Sequence, residues 1–128
     1  MRLFKRAQRI SFSREAWGHP FFLWVVVVSL VLIIGMVVLA LWKIMPIGLQ
    51  QGIISLHYNV YFGVDLLGRW FRIFDLPVFG LILLVANMFF ARLLWSKERL
   101  LSFFFAVTAL LLEIVLFAAM VLITLLNL

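Results

Sequence analysis

FFLWVVVVSLVLIIGMVVLALW, residues 21–42, contains no charged side chain, and Ser29 is its most polar member. A helix needs about 20 mostly apolar residues to cross the hydrocarbon core of a bilayer, so this run reads as a membrane span. Pro20 precedes it, where a helix tolerates the missing N–H. Trp17 and Trp24 flank one end and Trp42 the other, at depths where amphipathic rings favour the interface. Lys43, Pro46 and Gly48 are expected to close the helix. The hydrophobic part of a secretory leader is only about 7–15 residues long. Val38-Leu39-Ala40 has the small-residue look of a cleavage site, but Trp42 and Lys43 beyond it read as a helix end, so an uncleaved anchor is favoured.

Two further runs follow the same logic. Residues 78–95 begin after Pro77 and carry Asn87 inside and Arg92 near the end, where a long cationic side chain snorkels to the headgroups. Residues 100–126 exceed the needed length and are expected to tilt. Only Ser96-Lys97-Glu98-Arg99 separates them, which forces a tight antiparallel pair. The composition agrees: 67% of the residues are hydrophobic and 12% charged, against roughly half and a quarter in soluble domains. A chain this short buries only about two-thirds of its surface on folding, so lipid must cover the rest. The expected fold is therefore an all-α membrane protein of three transmembrane helices, with a partly ordered extracytoplasmic loop between the first two. It forms one domain: a basic N-terminus over 1–20, spans at 21–42, 78–95 and 100–126, the loop over 43–77 and a turn at 96–99.

The net charge of +6 is unevenly placed. Arg2, Lys5, Arg6, Arg9 and Arg14 precede the first span, where basic residues report topology and touch anionic phospholipid rather than nucleic acid. Phe4, Ala7, Ile10 and Phe12 interleave with them, as in an amphipathic helix on the membrane surface; a flexible topogenic tail fits the same residues. With the N-terminus inside, those five basic residues join Arg92, Lys97 and Arg99 in the cytoplasm, leaving Lys43, Arg69 and Arg72 outside. Eight against three predicts a cytoplasmic N-terminus and an extracytoplasmic C-terminus. The chain has no cysteine, which excludes disulfides and thiol chemistry.

The loop is unusually apolar for a connector. In residues 54–65, Leu56, Tyr58, Val60, Phe62 and Val64 alternate with Ser55, His57, Asn59, Tyr61 and Asp65, the period of an extended segment. His57, Tyr61 and Asp65 also stand four residues apart, as on one helical face, but Asn59 and Gly63 disfavour a helix. A single strand needs a backbone partner, and residues 47–51 are one candidate. Asp65 is placed to cap a short interfacial helix over 66–74. His57, Tyr58, Asn59, Tyr61 and Asp65 are the candidate loop contacts.

The stretch LHYNVYFGVDL, residues 56–66, resembles a segment of short bacterial inner-membrane proteins that have no assigned activity. The resemblance covers about a tenth of the chain. It implies a bacterial cytoplasmic-membrane protein and carries over no catalytic residue.

Within the spans, Glu113 is the sharpest candidate, because an acidic residue near the bilayer centre costs roughly 2.5–3.5 kcal/mol on insertion scales. Three roles suit it: a structural hydrogen bond, contact with a partner helix, or part of an ion or proton path. If the 96–99 turn centres near Lys97-Glu98, Asn87 lies level with Thr108 and Glu113 with Ile82, so an Asn87–Thr108 contact is expected. Gly35 and Ala40 on the first span, Gly80 and Ala86 on the second, and Ala106, Ala109, Ala118 and Ala119 on the third offer surfaces for close helix approach. Two histidines with no HxxxH or HExxH spacing predict no metal or other cofactor. No nucleophile elbow surrounds Ser55, so no enzyme is expected. The expected role is an accessory or structural component of a membrane complex, acting with a membrane-protein partner or a second copy. The alternative is a subunit of an oligomeric channel or transporter with Glu113 facing the shared interior.

Overall fold

The computed structural model describes residues 18–128; the basic positions Arg2, Lys5, Arg6, Arg9 and Arg14 lie outside them. Helix α1, Pro20–Leu39, starts at His19, whose Nδ1 accepts the Phe21 N–H at 3.3 Å. Its end is not at Trp42. The helix widens into a π turn over Ala40–Ile44 and continues as α2, Met45–Gln51. Pro46 explains the widening, since a proline ring clashes with the carbonyl four residues back, here that of Trp42. Bonding one residue further, as the Met45 N–H does to the Ala40 carbonyl, removes the conflict. The expected stop at Lys43, Pro46 and Gly48 is thus corrected: all three lie in a continuous helical segment, Pro20–Gln51. At 1.5 Å per residue it runs about 48 Å, longer than the ~30 Å hydrocarbon core. Gly52, at φ 76°, ends it and returns its N–H to the Gly48 carbonyl at 2.7 Å.

Strands β1, Ile53–Asn59, and β2, Gly63–Arg69, then form an antiparallel hairpin. Ile53 faces Arg69 and Asn59 faces Gly63; the register shifts around Ser55, His57 and Tyr58 leave Leu56 and Asp65 without a direct opposite. Extended structure is therefore formed over 54–59 and 63–65, interrupted by the turn at 60–62, and the alignment of His57, Tyr61 and Asp65 on one helical face is not formed. Two other expectations are corrected. Residues 47–51 are helical, and Asp65 caps no helix but lies inside β2. A lone β1 would leave its backbone groups unmatched, and the nearest segment that satisfies them is 63–69, reached through Gly63 at φ 75°. Helical geometry begins only at Trp70, as a 3-10 turn over Trp70–Phe74.

Helix α3, Asp75–Leu94, follows, then a tight turn in which the Lys97 and Glu98 N–H groups bond the Leu94 carbonyl, then α4, Arg99–Leu126. All three long helical segments are long and apolar enough to cross a membrane, so this is a multi-pass membrane protein. Helix α4 packs extensively on both α1 and α3, which meet each other less. Small and polar residues face inward, among them Ser29, Gly80, Ala91, Ser102, Ala106 and Ala109, while Val31, Ile34, Val85, Val115 and Leu122 face outward. Large apolar side chains, Met36, Leu84, Met88 and Met120 among them, share the interior, and the small residues permit the close backbone approach that holds helices together in hydrocarbon surroundings. Near the turn end of the bundle, His19, Phe22, Trp95 and Phe103 interlock, with Phe22 stacked on Phe103 at 5.3 Å.

Candidate functional site

Glu113 lies inside the bundle with 0% of its surface exposed, and neither carboxyl oxygen has a hydrogen-bond partner. Gly80 makes room for it: a Cβ there would stand 2.8 Å from Oε2 and 3.1 Å from Oε1. Ser29 on α1 is equally buried, and its hydroxyl also lacks a partner. The Phe117 ring packs on Gly35, so one turn back, at Glu113, the matching α1 position is about residue 31. Ser29 is then only ~3 Å from Glu113 along the bundle axis. One helix supplies an acid, the second a hydroxyl and the third a space without a side chain.

Two other buried hydroxyls in the bundle are matched. The Ser102 hydroxyl donates to the Ala91 carbonyl, tying α4 to α3, and Thr124 donates to Met120 at 2.8 Å. An unmatched buried polar group costs about 1–3 kcal/mol, and an ionised one far more. Glu113 and Ser29 therefore carry unmet hydrogen-bonding demand inside the packed bundle.

The expected contacts of the intramembrane residues need correction. Asn87 turns its amide back to the Leu83 carbonyl at 2.8 Å, and Thr108 is exposed, so the Asn87–Thr108 contact is not made. Levelling residues by the turn overlooked rotation about each helix axis: Thr108 sits beside the buried Ala109 but points outward. Glu113 meets Gly80 rather than the level of Ile82. Its carboxyl is buried within the chain's own bundle.

The loop candidates are spread along the hairpin. His57 is exposed on β1, Tyr58 stands opposite Val64 in the register, and Asp65 lies on β2. Asn59 closes the turn by accepting the Tyr61 N–H at 2.9 Å. The tip is apolar and open: Val60, Tyr61 and Phe62 are 84%, 90% and 83% exposed. Asn127 is a functional residue that sequence reasoning missed. Its Oδ1 accepts the Ser55 N–H at 2.8 Å while its Nδ2 donates to the Ser55 carbonyl at 2.7 Å and to the Ile123 carbonyl at 2.8 Å. One side-chain amide thus replaces a neighbouring strand along β1, joining the hairpin to the end of α4. The only signal in the sequence was an amide directly after a long apolar run. Among the described residues, no three His, Cys, Asp or Glu side chains gather as a metal site.

Comparison with protein-family models, curated proteins and solved structures finds no match for this chain.

Proposed function

We propose that this chain is an accessory component of a membrane complex, which it joins through its helices and, above all, through the hairpin tip. The carrying observation is the display of Val60, Tyr61 and Phe62 on a hairpin anchored by Asn127. Burying a large apolar side chain gains about 1.5–3 kcal/mol, and a pre-ordered turn spends little entropy on binding. The implied partner presents an apolar pocket beside the membrane. The basic residues at the opposite end favour a cytoplasmic N-terminus, which puts the hairpin and the C-terminus outside. The resemblance of residues 56–66 supports a bacterial cytoplasmic membrane.

A photoreactive residue at position 61, activated in native membranes, tests this reading. One protein adduct of fixed mass is expected. Adducts to lipid alone, or to a smear of neighbours, overturn it.

A second reading, a channel or transporter subunit, draws on the unmatched Glu113 and Ser29. Because Glu113 faces inward, such a path runs between the three helices of one chain. Ion flux in proteoliposomes should then fall with Glu113→Gln, and unchanged flux removes this reading.

A further inference from the structure

Between α1 and α3, on the outside of the bundle, a groove of about 320 Å³ is lined by Val26 and Leu30 on one side and by Leu81, Val85, Met88 and Phe89 on the other. Arg92 closes the end that faces the turn. From Leu81 to Arg92 the groove follows α3 for ~16 Å at 1.5 Å per residue, close to the ~15 Å of one leaflet. Its walls are hydrocarbon and its medium is lipid. The cation stands where a chain lying in the groove has its headgroup. Lys97 and Arg99 share that end of the bundle, against one acid, Glu98, in the turn.

We propose that this groove binds one anionic phospholipid of the adjoining leaflet, with an acyl chain along α3 and the phosphate on Arg92. Length and charge point to this occupant. A transmembrane helix of a partner would run on past Arg92, and a zwitterionic lipid would bring a second cation to the guanidinium. Arg92 is half-buried, with its Nε inside the bundle, and the terminal N–H groups of its guanidinium are the donors that take phosphate oxygens beside its neighbours in the protein. The binding is separate from the hairpin reading and survives its failure.

The test is native mass spectrometry of the full chain in detergent, titrated with phosphatidylglycerol or with phosphatidylcholine of identical acyl chains. Wild type should retain one phosphatidylglycerol at least tenfold more tightly than phosphatidylcholine. Arg92→Gln should abolish that preference, and Val85→Trp, which fills the groove without touching charge, should weaken both lipids. Lys97→Gln serves as the surface-charge control and should change the preference less than twofold. Circular dichroism and gel filtration report folding for every variant, and if Arg92→Gln fails to fold, Val85→Trp carries the test alone. Equal binding of the two lipids by wild type overturns the proposal. So does an undiminished phosphatidylglycerol adduct in the folded variants, or a loss in Lys97→Gln as large as in Arg92→Gln.

Discussion

The bundle interior around Glu113 and the tip of the hairpin depart from their surroundings in opposite ways. In the interior, a carboxyl and a hydroxyl are buried with nothing to bond. At the tip, three large apolar side chains stand open on a turn whose Tyr61 N–H is satisfied by Asn59. In most of the remaining bundle the outward faces are apolar and the inward faces combine small residues with large apolar ones. Departures of this kind mark where a chain has been shaped for something other than its own stability. The two differ in how they are supported. The tip rests on a framework with explicit polar ties at Ser55 and Asn127, whereas the Glu113 carboxyl is only packed, in the place that a side chain at Gly80 would take.

The largest expected effect comes from removing the platform beneath the hairpin. Gly48 on α2 lies so close to Trp70 that a Cβ there would overlap the Cβ and Cγ of the indole residue, atoms too near the backbone to swing aside. Gly48→Val should cost about 3 kcal/mol, the upper part of the usual overpacking range. It is measured by thermal unfolding in detergent and by proteolysis at residues 60–62. Full stability would show that the hairpin is not tied to α2 through Trp70. Next in size is a change of opposite sign. Glu113→Leu removes the two unmatched oxygens in favour of a branched apolar side chain one carbon shorter and should stabilise the bundle by about 1–3 kcal/mol, read as resistance to unfolding in dodecyl sulfate. Destabilisation instead would mean that the carboxyl holds a bonded guest.

The spans were legible because they depend on composition summed over many residues. Pro77, Ser96-Lys97-Glu98-Arg99 and the charge-free run at 21–42 each punctuate the chain plainly. What could not be read depended on single contacts. Pro46 and Gly48 look like a helix end, but a π turn absorbs the proline, and Gly48 serves packing against Trp70 instead. The strand-like alternation of β1 was visible, yet its partner was hidden. Residues 66–74 carry apolar and charged residues in an order that fits either state; pairing with β1 decides for the strand as far as Arg69, and only Trp70–Phe74 turns helical. Glu113 stood out by charge alone. Its companion Ser29 did not, because one serine in a span is unremarkable until rotation about the helix axis is known.

Asn127 lets the supported half of the comparison be weakened without touching the bundle. Asn127→Ala removes three hydrogen bonds, each contributing about 0.5–1.5 kcal/mol net, but water can replace part of them because the site is only half-buried. A local loss of about 1.4 kcal/mol corresponds to a tenfold shift in the opening equilibrium. Amide exchange at Ser55 should therefore accelerate about tenfold, while exchange in α4 before Thr124 is unchanged. Unchanged exchange at Ser55 would place the anchor elsewhere, in the packing of Ile54 and Ile73.

The smallest effect on stability separates the tip from everything below it. Val60→Ser with Phe62→Ser alters two side chains that are more than four-fifths exposed, and exposed substitutions usually stay within about 0.5 kcal/mol. Thermal unfolding of the bundle should therefore match wild type. The adduct formed by a photoreactive residue at position 61 should nonetheless disappear, because the apolar contact that presents it to a partner is gone. If stability falls by more than about 1 kcal/mol, the tip is already buried against hydrocarbon, and the hairpin is a membrane anchor. A surviving adduct on an intact bundle would instead assign recognition to the strand edges of the hairpin, where backbone groups rather than side chains make the contact.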